Sequence, residues 1–95
     1  MDWRQLQATV RRILLDNWDP LGVRDIPAAE DEYDTQVDAI VSMIGNHRAS
    51  FEELRRYLDD EAYALLNSWD DDAALDRTAK LLMHLALPDA PTTAL

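Results

Sequence analysis

The stretch SFEELRRYLDDEAYALLNSW, residues 50–69, carries the clearest local signal for secondary structure in this chain. It opens with Ser50-Phe51-Glu52-Glu53, the pattern of a capping box, in which a serine and a glutamate three residues later bond each other's backbone N–H groups at a helix start. Apolar residues then recur every three or four positions, which is the spacing of one face of an α-helix. These residues are Phe51, Leu54, Leu58, Ala62, Leu65 and Trp69. The stretch therefore predicts a helix with one buried face, and Asp59-Asp60 allows a kink within it because aspartate is a weak helix former.

The same spacing predicts three further helices, over residues 3–18, 30–44 and 73–86. No stretch alternates between apolar and polar residues as a half-buried strand would. The side chains expected to face the core from these helices are Trp3, Leu6, Val10, Ile13, Leu14, Tyr33, Val37, Ile40, Val41, Ile44, Leu75, Ala79, Leu82 and Leu85. The predicted fold is all-α, a compact bundle of about four helices joined by short connections.

Proline, glycine and aspartate mark the ends of the predicted helices. The first helix must end at Asp19-Pro20, because proline has no N–H group and disfavours helical geometry in the residue before it. Gly45-Asn46 is expected to end the second helix in a left-handed conformation. The run of three aspartates at 70–72 is expected to end the third helix and to cap the fourth, since carboxylates favour helix N-termini.

A chain of 95 residues is long enough for one domain with one modest core. Residues 1–88 are predicted to form this single helical domain, because Pro88 stops the last helix. Residues 89–95 are predicted to be a flexible, disordered tail, as chain ends that nothing ties down usually are. The longest apolar stretch, residues 81–87, is too short to span a bilayer.

The chain carries a formal net charge of −10, from 19 acidic and 9 basic residues, and it has no cysteine. Such a surface repels phosphate backbones and anionic membranes, so neither nucleic acid nor a membrane is an expected partner. It attracts basic proteins and speeds their encounter, although the plainer interpretation is that the charge keeps the chain soluble and monomeric. The lack of cysteine excludes disulfides and thiolate chemistry and fits a cytoplasmic location.

The residues from Asp16 to Asp38 include eight acidic side chains and a single base, Arg24. Part of this charge has structural explanations, since acids favour a helix start and an aspartate can bond its own backbone in a turn. The excess is larger than one helix cap needs, which leaves a docking face for a basic partner as the functional hypothesis. Aromatic residues here fit core positions, but one at a helix end is also a typical interface anchor. The predicted partner-binding residues are Trp18, Asp19, Asp31, Glu32, Tyr33 and Asp34.

Metal-binding and catalytic patterns are missing from the sequence. An EF-hand loop beginning at Asp16 would need an oxygen ligand at its third position and glycine at its sixth, where this chain has Trp18 and Leu21. Neither His47 nor His84 follows a glutamate by three residues, as helical di-metal proteins require. No serine stands in a nucleophile elbow, and no glycine-rich phosphate loop is present. We therefore expect no enzymatic activity, no metal and no cofactor.

The string Trp18-Asp19-Pro20-Leu21-Gly22, followed by Glu32-Tyr33-Asp34, resembles a family of small bacterial helical proteins classed as a domain of unknown function. In that family the first helix ends in Trp-Asp-Pro and the second begins with a tyrosine between two acids. Residues 65–69 and 75–82 fit its leucine-rich later half, so the resemblance covers most of residues 6–86. It implies an all-α fold and a stand-alone bacterial protein, and some members look like the acidic immunity partners of secreted toxins. It implies no catalytic residue.

These observations favour a small acidic protein-binding module, with an immunity or antitoxin-type protein that neutralises a basic partner as its specific form. The alternative is a helical protein that self-associates as a homo-oligomer and whose acidity serves solubility only. A carboxylate-based metal protein or enzyme is the least favoured hypothesis.

Overall fold

The computed structural model describes residues 3–67 and 69–86, and within them the chain is all-α without a β-strand. The four α-helices are α1 (Trp3–Ile13), α2 (Asp34–Gly45), α3 (Phe51–Leu66) and α4 (Asp72–Ala86). This architecture confirms the predicted four-helix bundle. The predicted tail, residues 89–95, lies outside the described residues. None of the described helices is both long enough and apolar enough to cross a membrane.

One core joins the helices, with α3 packed on α4, α1 packed on α2, and α4 also in contact with the turn that follows α1. All five side chains predicted to face inward around α2 are buried, which confirms the predicted face of that helix. Trp3 was predicted to face the core, but 52% of its surface is exposed. The buried apolar residues of the core are Val10, Leu14, Leu15, Trp18, Tyr33, Val37, Ile40, Val41, Ile44, Ala49, Leu54, Leu58, Ala62, Leu75, Ala79 and Leu82.

The start of α3 has the predicted capping box. Ser50 Oγ accepts from the backbone N–H of Glu53 at 3.1 Å, and Glu53 Oε1 accepts from the backbone N–H of Ser50 at 2.9 Å. The helix runs unbroken through Asp59-Asp60. It ends at Leu66 because the next residue, Asn67, is left-handed (φ 64°). Asparagine adopts this conformation more readily than most residues.

The start of α4 is capped as predicted by the aspartate run. Asp71 Oδ1 accepts from the backbone N–H of Ala74 at 3.0 Å. The carboxylate thereby satisfies one of the N–H groups that a helix start leaves without an intrahelical acceptor.

Gly45-Asn46 ends α2 at the predicted place, but the predicted left-handed conformation there was wrong. The first left-handed residue after α2 is Arg48 (φ 47°), and Gly45 has no positive φ. The glycine instead makes room for Trp3, because a Cβ atom at this position would lie 2.6 Å from Cη2 of the Trp3 indole, which would have to shift. The missing side chain of Gly45 therefore lets the start of α1 pack against the end of α2.

The second helix begins at Asp34, four residues later than predicted. Before it, the chain forms a 3₁₀ turn at Pro27–Ala29 and a further turn in which the N–H of Asp34 bonds the carbonyl of Asp31 at 3.1 Å. The four acids from Glu30 to Asp34 thus precede or open α2 rather than forming its first full turn.

Candidate protein-binding surface

The first helix ends in a π-helical turn, Leu14–Trp18, which precedes the acidic segment. The N–H of Asp19 closes this turn by donating to the carbonyl of Leu14 at 2.9 Å. Asp19 is itself left-handed (φ 35°, ψ 58°), a conformation that aspartate tolerates better than most residues. Pro20 then prevents the helix from continuing, as predicted. The chain turns sharply here and leaves the direction of α1.

The Asp19 carboxylate organises the segment that follows it. Its Oδ1 accepts from Tyr33 Oη at 2.8 Å and from the N–H of Val23 at 2.9 Å, while its Oδ2 accepts from the N–H of Arg24 at 3.0 Å. Tyr33 Oη in turn accepts from the N–H of Leu21 at 3.0 Å. Because these bonds link both ends of residues 19–33, the segment is fixed to the core although it is largely irregular.

Trp18 and Tyr33 lie inside the core and are 3% and 1% exposed. Their rings meet edge to face with centroids 5.0 Å apart, and Trp18 meets Trp69 in the same way at 6.4 Å. Their side chains therefore stabilise the fold and do not contribute to a docking surface in this structure. Asp19 has the same structural role, since its carboxylate is occupied by three donors.

Side chains on α1 donate hydrogen bonds to three further acids of the stretch from Asp16 to Asp38. Arg11 Nη2 donates to Asp34 Oδ1 at 2.7 Å, and Gln7 Nε2 donates to Asp38 Oδ1 at 3.2 Å. Asp16 takes two bonds from Arg12. These contacts remove Asp34, a predicted partner-binding residue, from the set of free carboxylates.

The other four acids of the stretch are exposed, and their side chains form no ion pair or hydrogen bond with another described residue. They are Asp25, Glu30, Asp31 and Glu32, and we refer to them as the acidic surface. Asp31 and Glu32 were predicted to bind a partner. Asp25 and Glu30 were counted in the acidic stretch but not chosen, and the sequence signal that could have found them is the lack of any nearby base except Arg24.

The described residues contain no group of three histidine, aspartate or glutamate side chains that could hold a metal ion. His47 and His84 are both exposed, and they lie far apart in the sequence, one in the connection after α2 and the other on α4. The geometry of the acidic surface is thus that of separate carboxylates on a turn.

Comparison of the chain with protein-family models, with curated proteins and with solved structures gives no match. The resemblance to a bacterial family of unknown function therefore stays a prediction.

Burial raises the pKa of two tyrosines, and this makes the stability of the fold sensitive to alkaline pH. Burial, together with the bond to the Asp19 carboxylate, raises the pKa of Tyr33 well above its ordinary value. Burial and the neighbouring Glu61 raise the pKa of Tyr57 to about 12. In both cases the folded state favours the neutral phenol, whereas the unfolded chain ionises near pH 10.

We expect the free energy of unfolding to be constant with respect to these tyrosines below pH 10 and to fall as the pH rises above it. The unfolded state then releases protons that the folded state retains, at about 1 kcal/mol per pH unit for Tyr33. Urea unfolding between pH 8 and 11 measures this slope. Tyr33→Phe should reduce the slope to roughly half, because Tyr57 still contributes, whereas Tyr63→Phe, at a side chain that is 61% exposed, should keep it. Equal slopes for the two variants would contradict the assignment.

Proposed function

We propose that this chain is a small acidic protein-binding module whose partner is a basic protein. The observation that carries the proposal is the acidic surface, where four exposed carboxylates on one short segment pair with none of the described residues. Carboxylates that face solvent without a cationic neighbour are available to the cationic side chains of a partner. In this role the chain catalyses no reaction and holds no cofactor.

The attachment of the segment to the core supports a specific partner rather than a general attraction to bases. Asp19 and Tyr33 hold the segment at both ends, so the backbone that carries the carboxylates is fixed to the core. A fixed pattern of charge favours partners with a complementary pattern and disfavours others. The net charge of −10 adds a long-range attraction that raises the rate of encounter with a basic protein.

An immunity-type protein is the specific form of this proposal. Its partner would be a basic toxin, and the acidic surface would cover the cationic groove of that toxin. The charge of the chain and its resemblance to small acidic bacterial proteins support this form.

Affinity capture of the tagged chain from a lysate of its native host at low salt, followed by mass spectrometry, tests the proposal. We expect one basic protein in stoichiometric amount, released at high salt because the screening length falls from about 10 Å at 0.1 M to about 3 Å at 1 M. Recovery of the tagged chain alone would contradict the proposal and favour self-association.

Once the partner is identified, the double variant Asp31→Lys/Glu32→Lys tests whether the acidic surface is the interface. We expect it to weaken association by at least about tenfold at low salt, through a slower encounter, while the thermal unfolding stays close to wild type. The matched control is Asp59→Lys/Asp60→Lys, which reverses two adjacent exposed acids on α3 and gives the same net charge. Equal weakening by both variants would show that total charge matters and the acidic surface does not.

A further inference from the structure

A groove of about 360 Å³ lies between α1 and residues 24–30. Although the chain is strongly acidic, three of its eight arginines line this groove: Arg11 and Arg12 from α1, and Arg24 from the facing segment. The volume is near the lower end of the range of roughly 300–1,000 Å³ that is typical of small-molecule sites. The groove is thus large enough for a compact ligand.

The three guanidinium groups are only partly satisfied by their neighbours. Arg12 directs Nε and Nη2 to Asp16 at 3.1 and 2.8 Å, and Arg24 Nε reaches the same carboxylate only at 3.4 Å. Arg11 gives Nη2 to Asp34, and its buried Nε has no acceptor among the described residues. A guanidinium has five N–H donors, and three such groups share two carboxylates here. Donors therefore remain for an additional oxyanion.

The same groove also offers negative charge and an apolar wall. Asp25 and Glu30 line it, and neither pairs with a described residue. Leu15, Ile26 and Pro27 form apolar lining, and Ile26 is 49% exposed. A ligand that covered Ile26 would remove apolar surface from water, which favours binding.

This combination of charges selects among ligand classes. A free anion would be repelled by the remainder of a chain with net charge −10, and a free cation would find exposed acids at many other places. A zwitterion has no net charge, so the long-range repulsion largely cancels, and the groove can satisfy both of its charged ends. We propose that the groove between α1 and residues 24–30 binds a small zwitterionic ligand of dipeptide size. Its carboxylate bonds Arg12 and Arg24, and its ammonium group bonds Asp25 and Glu30.

The dipeptide glycyl-leucine tests this proposal, because it carries both charges and an apolar side chain. We expect saturable binding by titration calorimetry at low salt and constant ionic strength, with amide chemical-shift changes in residues 24–26. Acetylation of the amino group and amidation of the carboxylate each remove one charge. We expect each modified dipeptide to bind at least about tenfold more weakly, since each lacks the charge-assisted hydrogen bonds of one end.

Two variants test whether the ligand binds in the groove. Arg24→Gln and Glu30→Gln change exposed side chains, and each is expected to weaken glycyl-leucine binding by at least about fivefold while the thermal unfolding is unchanged. The matched control is Arg56→Gln, an exposed arginine on α3 outside the groove, which should bind like wild type. Three results would overturn the proposal: no saturable binding of glycyl-leucine, equal binding of the modified dipeptides, or equal weakening by Arg24→Gln and Arg56→Gln. The test requires no partner protein, so it is independent of the proposed function.

Discussion

Replacement of Trp18 with alanine is expected to lower the free energy of unfolding by about 4 kcal/mol. The indole is 3% exposed and meets the rings of Tyr33 and Trp69 edge to face. The variant would lose these contacts and leave a large cavity where the turn after α1 meets α4. Urea unfolding followed by far-UV circular dichroism measures the change without depending on tryptophan fluorescence.

The control is Trp18→Phe, which keeps an aromatic ring in the core. The indole Nε1–H is buried and has no acceptor among the described residues, so the change to phenylalanine removes no hydrogen bond with these residues. We expect a loss of about 1–2 kcal/mol, arising from the smaller ring alone. An alanine variant as stable as wild type would contradict the core position of Trp18 and return it to the candidate docking surface.

Replacement of Asp19 with alanine is expected to lower the free energy of unfolding by about 3 kcal/mol. The carboxylate accepts from Tyr33 Oη and from the N–H groups of Val23 and Arg24, and all three bonds would be lost. Alanine is also disfavoured in the left-handed conformation by roughly 1–2 kcal/mol. Water can replace the acceptor at the exposed N–H of Arg24, which keeps the total below the sum of the separate bonds. Chemical unfolding gives the total, and hydrogen exchange at Val23 reports the local loss.

Asp16→Ala is the matched control, because it removes a neighbouring carboxylate that bonds only exposed arginine side chains. Its pairs with Arg12 and Arg24 lie at the surface, where such pairs contribute about 0–1 kcal/mol. If the two variants were equally destabilised, Asp19 would have no special role in fixing the segment.

The parts of the fold that the sequence predicted correctly depend on short-range chemistry. The capping box joins Ser50 to Glu53, three residues apart, so its geometry follows from the local sequence alone. The buried face of α2 follows from the spacing of its apolar residues, since only one side of a helix can face the core. The fold class could therefore be predicted before any contact between helices was known.

The features that the sequence did not predict depend on contacts between distant residues. Residues 14–18 are of types that ordinary α-helices also contain, so the sequence does not show that this turn is π-helical, with hydrogen bonds reaching five residues back instead of four. Gly45 carries the signal of a helix end, but its neighbour Trp3 lies on another helix. Such contacts become apparent only when the helices are placed together.

The candidate site was also predicted only in part. The excess of acids between Asp16 and Asp38 was visible in the sequence, but which of them remain unpaired depends on side chains from α1. Arg11 reaches Asp34 across the boundary between two helices, and no local pattern indicates this. Trp18 and Tyr33 lie in the core, where the core interpretation placed them.

The bond between Asp19 and Tyr33 closes residues 19–33 into a ring while the protein folds. Ordering a flexible segment at the moment of docking would cost conformational entropy, roughly 1–2 kcal/mol for each backbone residue that becomes fixed. In this chain most of that entropy is lost during folding, before any partner arrives. The segment is therefore preorganised, and more of the energy of any contact it makes remains available as affinity.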